Sequence, residues 1–433
     1  MTKKRYVICG VSGRGISMWI KSMYAHFQNH AELVGMLDMD PLRFKICKEE
    51  VPETACVPEY MPEEFDRMIE ETRPDAVIVA CRDCFHAQYI IAALEKDLDV
   101  ISEKPMTHNW EDAVKVCQAE KRSKGKIICT FNYRYYRRHV MVKELLLAGK
   151  VGKVTHIDLT WYIDIHHGAS YFNRWNRMRE NSGSLSIHKA CHHFDLVNWY
   201  LDFPEPQKVH AFGELNHYGP NAPFNPSRKD GRHCRECAER EDCAYKSRWE
   251  TRSMVSSLKN ADEHMQNFSE SKALYTPSLY RPDKCIFDSE INIHDTLIAN
   301  VRYNNGALLN YSANFSTPYE GYHLAINGTH GRIESYFCAG LGSTSFPPVQ
   351  ENYIDCYPIF GSRERYYLRP WQDGEGGGNI IIQEDVFLGP RKKREYDILA
   401  NSRDGLYAVA IGDAVYKSIM QDEIISLSDI VRI

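Results

Sequence analysis

The stretch Tyr6-Val7-Ile8-Cys9-Gly10-Val11-Ser12-Gly13-Arg14-Gly15 decides the fold. Its apolar opening reads as a short buried strand, and a glycine-rich turn follows at once. Ile16, Trp19, Ile20, Met23, Tyr24 and Phe27 then recur at helical spacing, so the turn joins a strand to an amphipathic helix. A dinucleotide needs a tight turn, a close backbone approach and a helix N-terminus aimed at its pyrophosphate. Gly10 and Gly15 occupy the first and third glycine places of the GxGxxG pattern. Ser12 stands in the second, with Gly13 and Arg14 beside it. Alone, the motif also fits a plain strand–helix turn. Asp38 narrows the choice. It follows the next apolar strand, Leu33–Leu37, where an acidic group binds both ribose hydroxyls and repels a 2′-phosphate. The expected cofactor is NAD, favoured over NADP.

Working outward, helix and strand alternate through residue 130. Helices are expected around Phe65–Ile69, Ala87–Leu94 and Trp110–Lys124, and strands at Ala76–Ala80, Val100–Ser102 and Ile127–Phe131. Such βαβ units imply a parallel sheet covered on both faces. After about residue 150 the pattern changes. Val154–Ile163, Lys208–Phe212, Asp295–Tyr303, Ala307–Ser312, His323–Asn327 and Arg332–Ser335 read as strands, and turns such as Asn304-Asn305-Gly306 link neighbours as hairpins. One helix is expected over His188–Leu201 and another near Leu406–Ile419. The segment 213–290 is charged, weakly periodic and cysteine-bearing, and reads as an insertion. The fold class is α/β, with a mainly antiparallel sheet in the second half.

The whole chain fits that picture. Its 433 residues suggest two domains, and 43% hydrophobic with 26% charged residues is ordinary for a globular protein. A net charge of −5 argues against nucleic acid or an anionic membrane as partner. No apolar run is long enough to span a membrane. The 14 cysteines are scattered through strands and helices, and no secretory signal precedes the first strand. That suggests reduced thiols and a cytoplasmic location.

Two segments carry candidate chemistry. Ser102-Glu103-Lys104-Pro105 follows the strand at Val100–Ser102, at the carboxyl end of a parallel sheet, where ligands bind. His188-Lys189-Ala190-Cys191-His192-His193-Phe194-Asp195 places His188, His192 and Asp195 near one face of the expected helix. The histidines also fit a buried polar stripe, or a two-residue metal pair lacking a third ligand.

Together, Gly10–Gly15, Asp38, Glu103-Lys104-Pro105, Asn132-Tyr133-Arg134 and His192-x-x-Asp195 resemble the Gfo/Idh/MocA oxidoreductases, the glucose–fructose oxidoreductase and inositol dehydrogenase group. Val79–His86 is similar to the loop after that family's fourth strand. The resemblance implies a Rossmann domain over 1–130. It implies an α/β domain with a large, mainly antiparallel open sheet over 131–433, interrupted by the insertion at 213–290. It implies a homo-oligomer, a dimer or tetramer, acting on secondary hydroxyls of sugars or polyols. Cys81, His86, Glu103 and Lys104 then join Gly10, Ser12, Gly13, Arg14, Gly15 and Asp38 as cofactor residues. Lys104, His192 and His188 form the expected catalytic set. Asn132, Arg134, Trp175, Lys189 and Asp195 are expected at a carbohydrate substrate, with Asp195 orienting His192. His188 stands where the family commonly bears Asp, and Gly374–Asn379 resembles a branch motif. An alcohol must lose a proton as its hydride leaves, which suits His or a Lys of lowered pKa. Two other readings use the same residues: a glycosidase that retains NAD and oxidises a sugar transiently, and a regulator without catalysis.

Cys234-x2-Cys237-x5-Cys243, with Cys285 downstream, lies inside the insertion. Four thiolates in a segment with little apolar material suggest a structural zinc, though reduced surface thiols fit as well.

Overall fold

The computed structural model describes residues 2–234, 237–245, 284–339, 352–368, 378–390 and 396–430. The first domain is a parallel sheet of β1 (Lys4–Cys9), β2 (Ala31–Leu37), β3 (Glu59–Tyr60), β4 (Ala76–Val79), β5 (Asp99–Ser102) and β6 (Ile127–Cys129). Their order is β3-β2-β1-β4-β5-β6. Chain order reverses between β1 and β4, so a crevice opens at their carboxyl ends. The glycine turn follows β1, and the loops after β4 and β5 flank it. Val7, Ile8 and Ala76–Val79 are buried, as a sheet covered on both faces requires.

The helix after the turn contains two π-helical stretches, Gly15–Ile20 and Met23–Phe27. The Gln383 side chain enters there. Its Nε2 donates to the Met18 carbonyl and its Oε1 accepts from Ser22 Oγ at 2.7 Å. An i→i+5 pattern frees backbone groups that an inserted side chain can satisfy.

The second domain is a sheet ordered β14-β13-β12-β11-β7-β10-β9-β8-β15. Its strands are β7 (Val154–Asp164), β8 (Pro206–Glu214), β9 (Thr296–Tyr303), β10 (Leu308–Thr317), β11 (Glu320–Gly328), β12 (Gly331–Ala339), β13 (Tyr353–Pro358), β14 (Glu364–Tyr367) and β15 (Ile425–Ser426). Among the described residues β7–β10 is its one parallel pair; the others are antiparallel. β8 and β9 pair across the insertion. Asp295 ties down its start, accepting from the backbone N–H of Asn216, His217 and Tyr218. Residues 246–283 of the insertion lie outside the described residues.

Two later helices return to the first domain. Gly378–Leu388 sets Phe387 against Tyr6, Trp19 and Phe27. Ser402–Gln421 caps the helix Trp110–Arg122, since Asp413 accepts from the Trp110 N–H at 3.0 Å. The domains are interlocked, and the cleft between them is held by buried side chains.

The single helix expected over His188–Leu201 is two, Leu185–His188 and Cys191–Tyr200. The physical reason is Lys104. Its Nζ donates to the His188 carbonyl at 2.9 Å, and the His192 N–H bonds Lys189 instead of His188. The hairpin β13–β14 was not expected from the sequence. Asp355 breaks its apolar pattern, and the sequence does not reveal that Arg365 pairs with that carboxylate through two 2.8 Å bonds.

Candidate active site

The glycine turn is shaped by what it touches. Gly10 has φ +102°, and a Cβ there would lie 2.4 Å from the Cys81 nitrogen. A Cβ on Gly15 would lie 2.5 Å from the Gly10 carbonyl oxygen. A Cβ on Gly13 would meet nothing within 4 Å. The first and third glycines therefore serve packing, and the turn opens to free space at Gly13. Ser12 does not occupy that space. Its Oγ donates to the Ala80 carbonyl at 2.8 Å and accepts from the Gly15 N–H at 3.0 Å. Asp38 accepts from the Val11 N–H at 2.7 Å and the Asp40 N–H at 3.0 Å, which fixes a carboxylate beside the turn. This cradle of open backbone and a positioned acid fits NAD.

The loops after β4 and β5 are bolted to it. Glu103 is buried and accepts from Arg14 Nε at 2.9 Å and Trp19 Nε1 at 3.0 Å. His86 is buried, with ring nitrogens 2.8 Å from the Pro105 carbonyl and 3.2 Å from the Cys81 carbonyl. These two side chains hold the Lys104-Pro105 turn, whose peptide bond is cis. Cys81 supports Gly10 through its backbone.

The chemical side of the cleft gathers around His188. Its Nδ1 lies 2.5 Å from Asp83 Oδ2, and Asn176 Nδ2 lies 3.1 Å from its Nε2. A neutral imidazole donating from Nδ1 and accepting at Nε2 satisfies both contacts. The rings of Tyr171 and Trp175 meet His188 edge-on, each at 5.5 Å. Burial, helped by the charges of Lys104, Arg174 and Lys189, holds the His188 pKa well below the usual histidine value. Burial pushes Asp83 up to about 7. Burial also lowers Lys104.

His192 stands on the same cleft. It stacks on Tyr133 at 4.1 Å with ring planes 9° apart, and Phe131 meets it edge-on. Burial first, then Lys104 and Lys189, keeps it neutral well below the usual range. Among the described residues its buried Nδ1 has no hydrogen-bond partner. Lys189 Nζ donates to the Tyr133 hydroxyl at 2.9 Å. His193 faces the other way, stacked on Trp161 at 3.9 Å and bonded to Tyr311.

Other expected residues lie elsewhere, and these are corrections. Asp195 does not orient His192. Both its oxygens are taken by Arg134, at 2.8 and 2.6 Å, and Arg134 also reaches Asp404 at 3.0 Å. Arg134 and Asp195 are fully buried, so they form an internal ion pair and not a substrate contact. Asn132 donates to Asn379 at 2.8 Å, at the start of the helix Gly378–Leu388. Residues 374–377 of the branch motif lie outside the described residues.

Sequence reasoning missed Asp83, Asn176, Tyr133 and Tyr171 as site residues. Asp83 carried a usable signal, an acid in the loop at the carboxyl end of β4. The His233–Lys284 bridge brings the Cys234 loop beside Cys285, but among the described residues no three of the four cysteine sulfurs converge within 4.8 Å. Among the described residues the only His, Cys, Asp and Glu donors converging within 4.8 Å are Asp164, His167 and Glu320. Cys237 instead bonds Glu239 at 3.4 Å, and Cys285 is buried.

Comparison with known proteins agrees with this architecture. Residues 4–131 match the oxidoreductase-family NAD-binding Rossmann fold, and residues 143–427 match that family's C-terminal alpha/beta domain. The Bacillus subtilis (strain 168) protein YteT, an oxidoreductase by name, is 47% identical over 430 residues, covering 99% of this chain and 98% of that one. Inositol 2-dehydrogenase of Rubrobacter xylanophilus is 26% identical over 214 residues, covering 48% of this chain and 55% of that one. Levoglucosan dehydrogenase, solved with NADH and levoglucosan, superposes with a TM-score of 0.64 at 15% identity, over 99% of this chain and 100% of that one. An NAD-binding Rossmann domain, its C-terminal partner and near-full-length similarity to such a relative make this chain a member of the Gfo/Idh/MocA oxidoreductase family.

Proposed function

We propose that the protein is an NAD-dependent dehydrogenase that oxidises a secondary hydroxyl of a sugar, glycoside or polyol. One observation carries this reading. Lys104, at the carboxyl end of β5, is hydrogen-bonded to the backbone of His188, and His192 follows on the adjoining helix, all beside the open glycine turn. Two groups able to manage a hydroxyl proton thus face the site that a nicotinamide would share.

NAD+, when bound, accepts the hydride. The protein's own groups handle the oxygen. Protonated Lys104 donates to the reacting hydroxyl and steadies the negative charge that develops on it. His192, kept neutral by burial, takes the hydroxyl proton. Asp83 and Asn176 engage both ring nitrogens of His188, which with Trp175 shapes the wall on which the rest of the substrate lies. Asp38 favours the free ribose hydroxyls of NAD over a 2′-phosphate. Phe212 and Ile298 pair across β8 and β9 and are 53% and 51% exposed, which supports assembly into a homo-oligomer, testable by light scattering.

The test is NAD+ reduction against a panel of pyranosides and polyols, with mass spectrometry of the products. A steady rise in NADH with a product two mass units lighter supports the reading. Glycosidic bond cleavage without net NADH would replace it with the NAD-retaining glycosidase.

A further inference from the structure

Lys104, Lys189 and Arg174 surround His188, and among the described residues none of them forms an ion pair. Lys104 Nζ meets only the neutral His188 carbonyl, at 2.9 Å. Lys189, 5% exposed, donates to the neutral Tyr133 hydroxyl at 2.9 Å. Arg174 Nε donates to the Ser170 carbonyl at 2.7 Å, and its NH2 to Ser170 Oγ at 3.1 Å. The acids of this region are committed elsewhere. Asp83 holds His188, and Glu320 Oε2 lies 2.8 Å from His167 Nδ1. A buried cation without an ion-pair partner is costly, and buried Lys189 with half-buried Lys104 and Arg174 beside it gives one cleft an excess of positive charge that folding alone does not explain. The cofactor's pyrophosphate does not answer it, because that group belongs at the glycine turn beside Gly13 and Arg14, whereas Lys189 and Arg174 come from the second domain. The oxidised nicotinamide ring would add positive charge to the same cleft.

We propose that the substrate carries an anionic group, a carboxylate or a phosphate, which Lys189 and Arg174 bind while its reacting hydroxyl meets Lys104 and His192. The planar guanidinium pairs with two oxygens of such a group, and the ammonium supplies a point charge. The arrangement also selects, since a neutral sugar would leave buried Lys189 and half-buried Arg174 without an anionic partner. This inference rests on the dehydrogenase reading for the identity of the reacting hydroxyl, but its test does not use turnover.

The experiment is equilibrium binding to NADH-loaded protein. The probes are hexuronates, aldonates and hexose phosphates, each measured beside its neutral parent sugar. The expected result is at least tenfold tighter binding by an anionic member than by its parent. The carboxylate and phosphate arms identify which group is read. Lys189→Met and Arg174→Gln should each collapse that ratio toward one, and Arg174→Lys should keep part of it. If no anionic probe binds more tightly than its neutral parent, or if the ratio survives in both variants, the inference is overturned. NADH production from a neutral sugar alone would leave the dehydrogenase reading intact and remove only this one.

Discussion

Lys104 donates its hydrogen bond to the backbone carbonyl of His188, 84 residues away, and in doing so ends one helix and lets the next begin at Cys191. The same ammonium that faces the cofactor crevice thus sets where His192 enters the cleft. A change at Lys104 therefore alters both the charge at the reacting oxygen and the turn that carries the second domain's contribution.

Asp83 is a positioning residue. Its carboxylate accepts from His188 Nδ1 at 2.5 Å and thereby leaves Nε2 to accept from Asn176. Asp83→Asn presents an amide that can donate to Nδ1 and flip the tautomer. The expected outcome is a fall in kcat of about 10-fold or more, within the range for acid–base and orienting groups. NAD affinity should be unchanged, and the alkaline limb of the pH–rate profile should move toward acid, because the Asp83 charge helps keep Lys104 protonated. A uniform loss of thermal stability with an unchanged pH profile in the remaining activity would mean a merely structural role.

The pH profile follows from burial. His192 must be neutral to take a proton, and its pKa lies well below the usual 6.5, so activity should persist as pH falls past 6.5. Lys104 must stay protonated, and its pKa lies below the usual 10.5, so activity should decline as pH rises through that lowered value. Both limbs of kcat/KM are displaced toward acid. A profile whose acid limb sits at or above 6.5 would assign the proton acceptor elsewhere.

In the proposed reading Asp38 selects NAD over NADP. Its carboxylate is held beside the turn by the Val11 N–H at 2.7 Å, and Arg43 Nε donates to the Val11 carbonyl at 2.8 Å on the same side. Asp38→Ala removes the charge that repels a 2′-phosphate and leaves the Arg43 cation in place. Calorimetric titration should show wild-type protein preferring NAD and the variant narrowing that preference. Wild-type protein preferring NADP would contradict the assignment.

Arg134 and Asp195 pair in the interior. Removing one partner of a buried pair costs about 3–5 kcal/mol when the other is left without compensation; Arg134 would keep Asp404 at 3.0 Å, so the loss should fall toward the lower end of that range. Asp195→Ala should therefore lower the denaturation midpoint strongly. In the fraction that stays folded, KM should be close to that of the wild type. A selective rise in KM with normal stability would return Asp195 to the substrate.

What the sequence disclosed divides along a physical line. Gly10–Gly15 and Asp38 were legible because their constraints are local: a turn, a strand end and a helix start lie within one βαβ unit. Lys104 and His192 stood out as residue types with uncommon chemistry at telling places, and the structure sets both on the cleft. Asp83 was not, because its partner His188 lies 105 residues away and nothing near either residue announces the other. The break between His188 and Cys191 was hidden for the same reason: helical spacing runs through it, and its cause sits in the first domain. Arg134 and Asp195 misled because a buried ion pair and a polar binding pair share one residue signature, and burial alone separates them.

The central claim is that Lys104 and His192 jointly manage one hydroxyl proton across the interdomain cleft. It is tested most directly by single-turnover hydride transfer to bound NAD+ in the wild type, Lys104→Ala, His192→Ala and the double variant. General acid–base groups contribute about 10²–10⁴-fold, so each single variant should be slower by at least about 10²-fold with NAD affinity little changed. The double variant should lose less than the product of the single effects, because both groups act on the same oxygen. Near-normal hydride transfer in either single variant, or fully multiplicative losses in the double, would contradict the account.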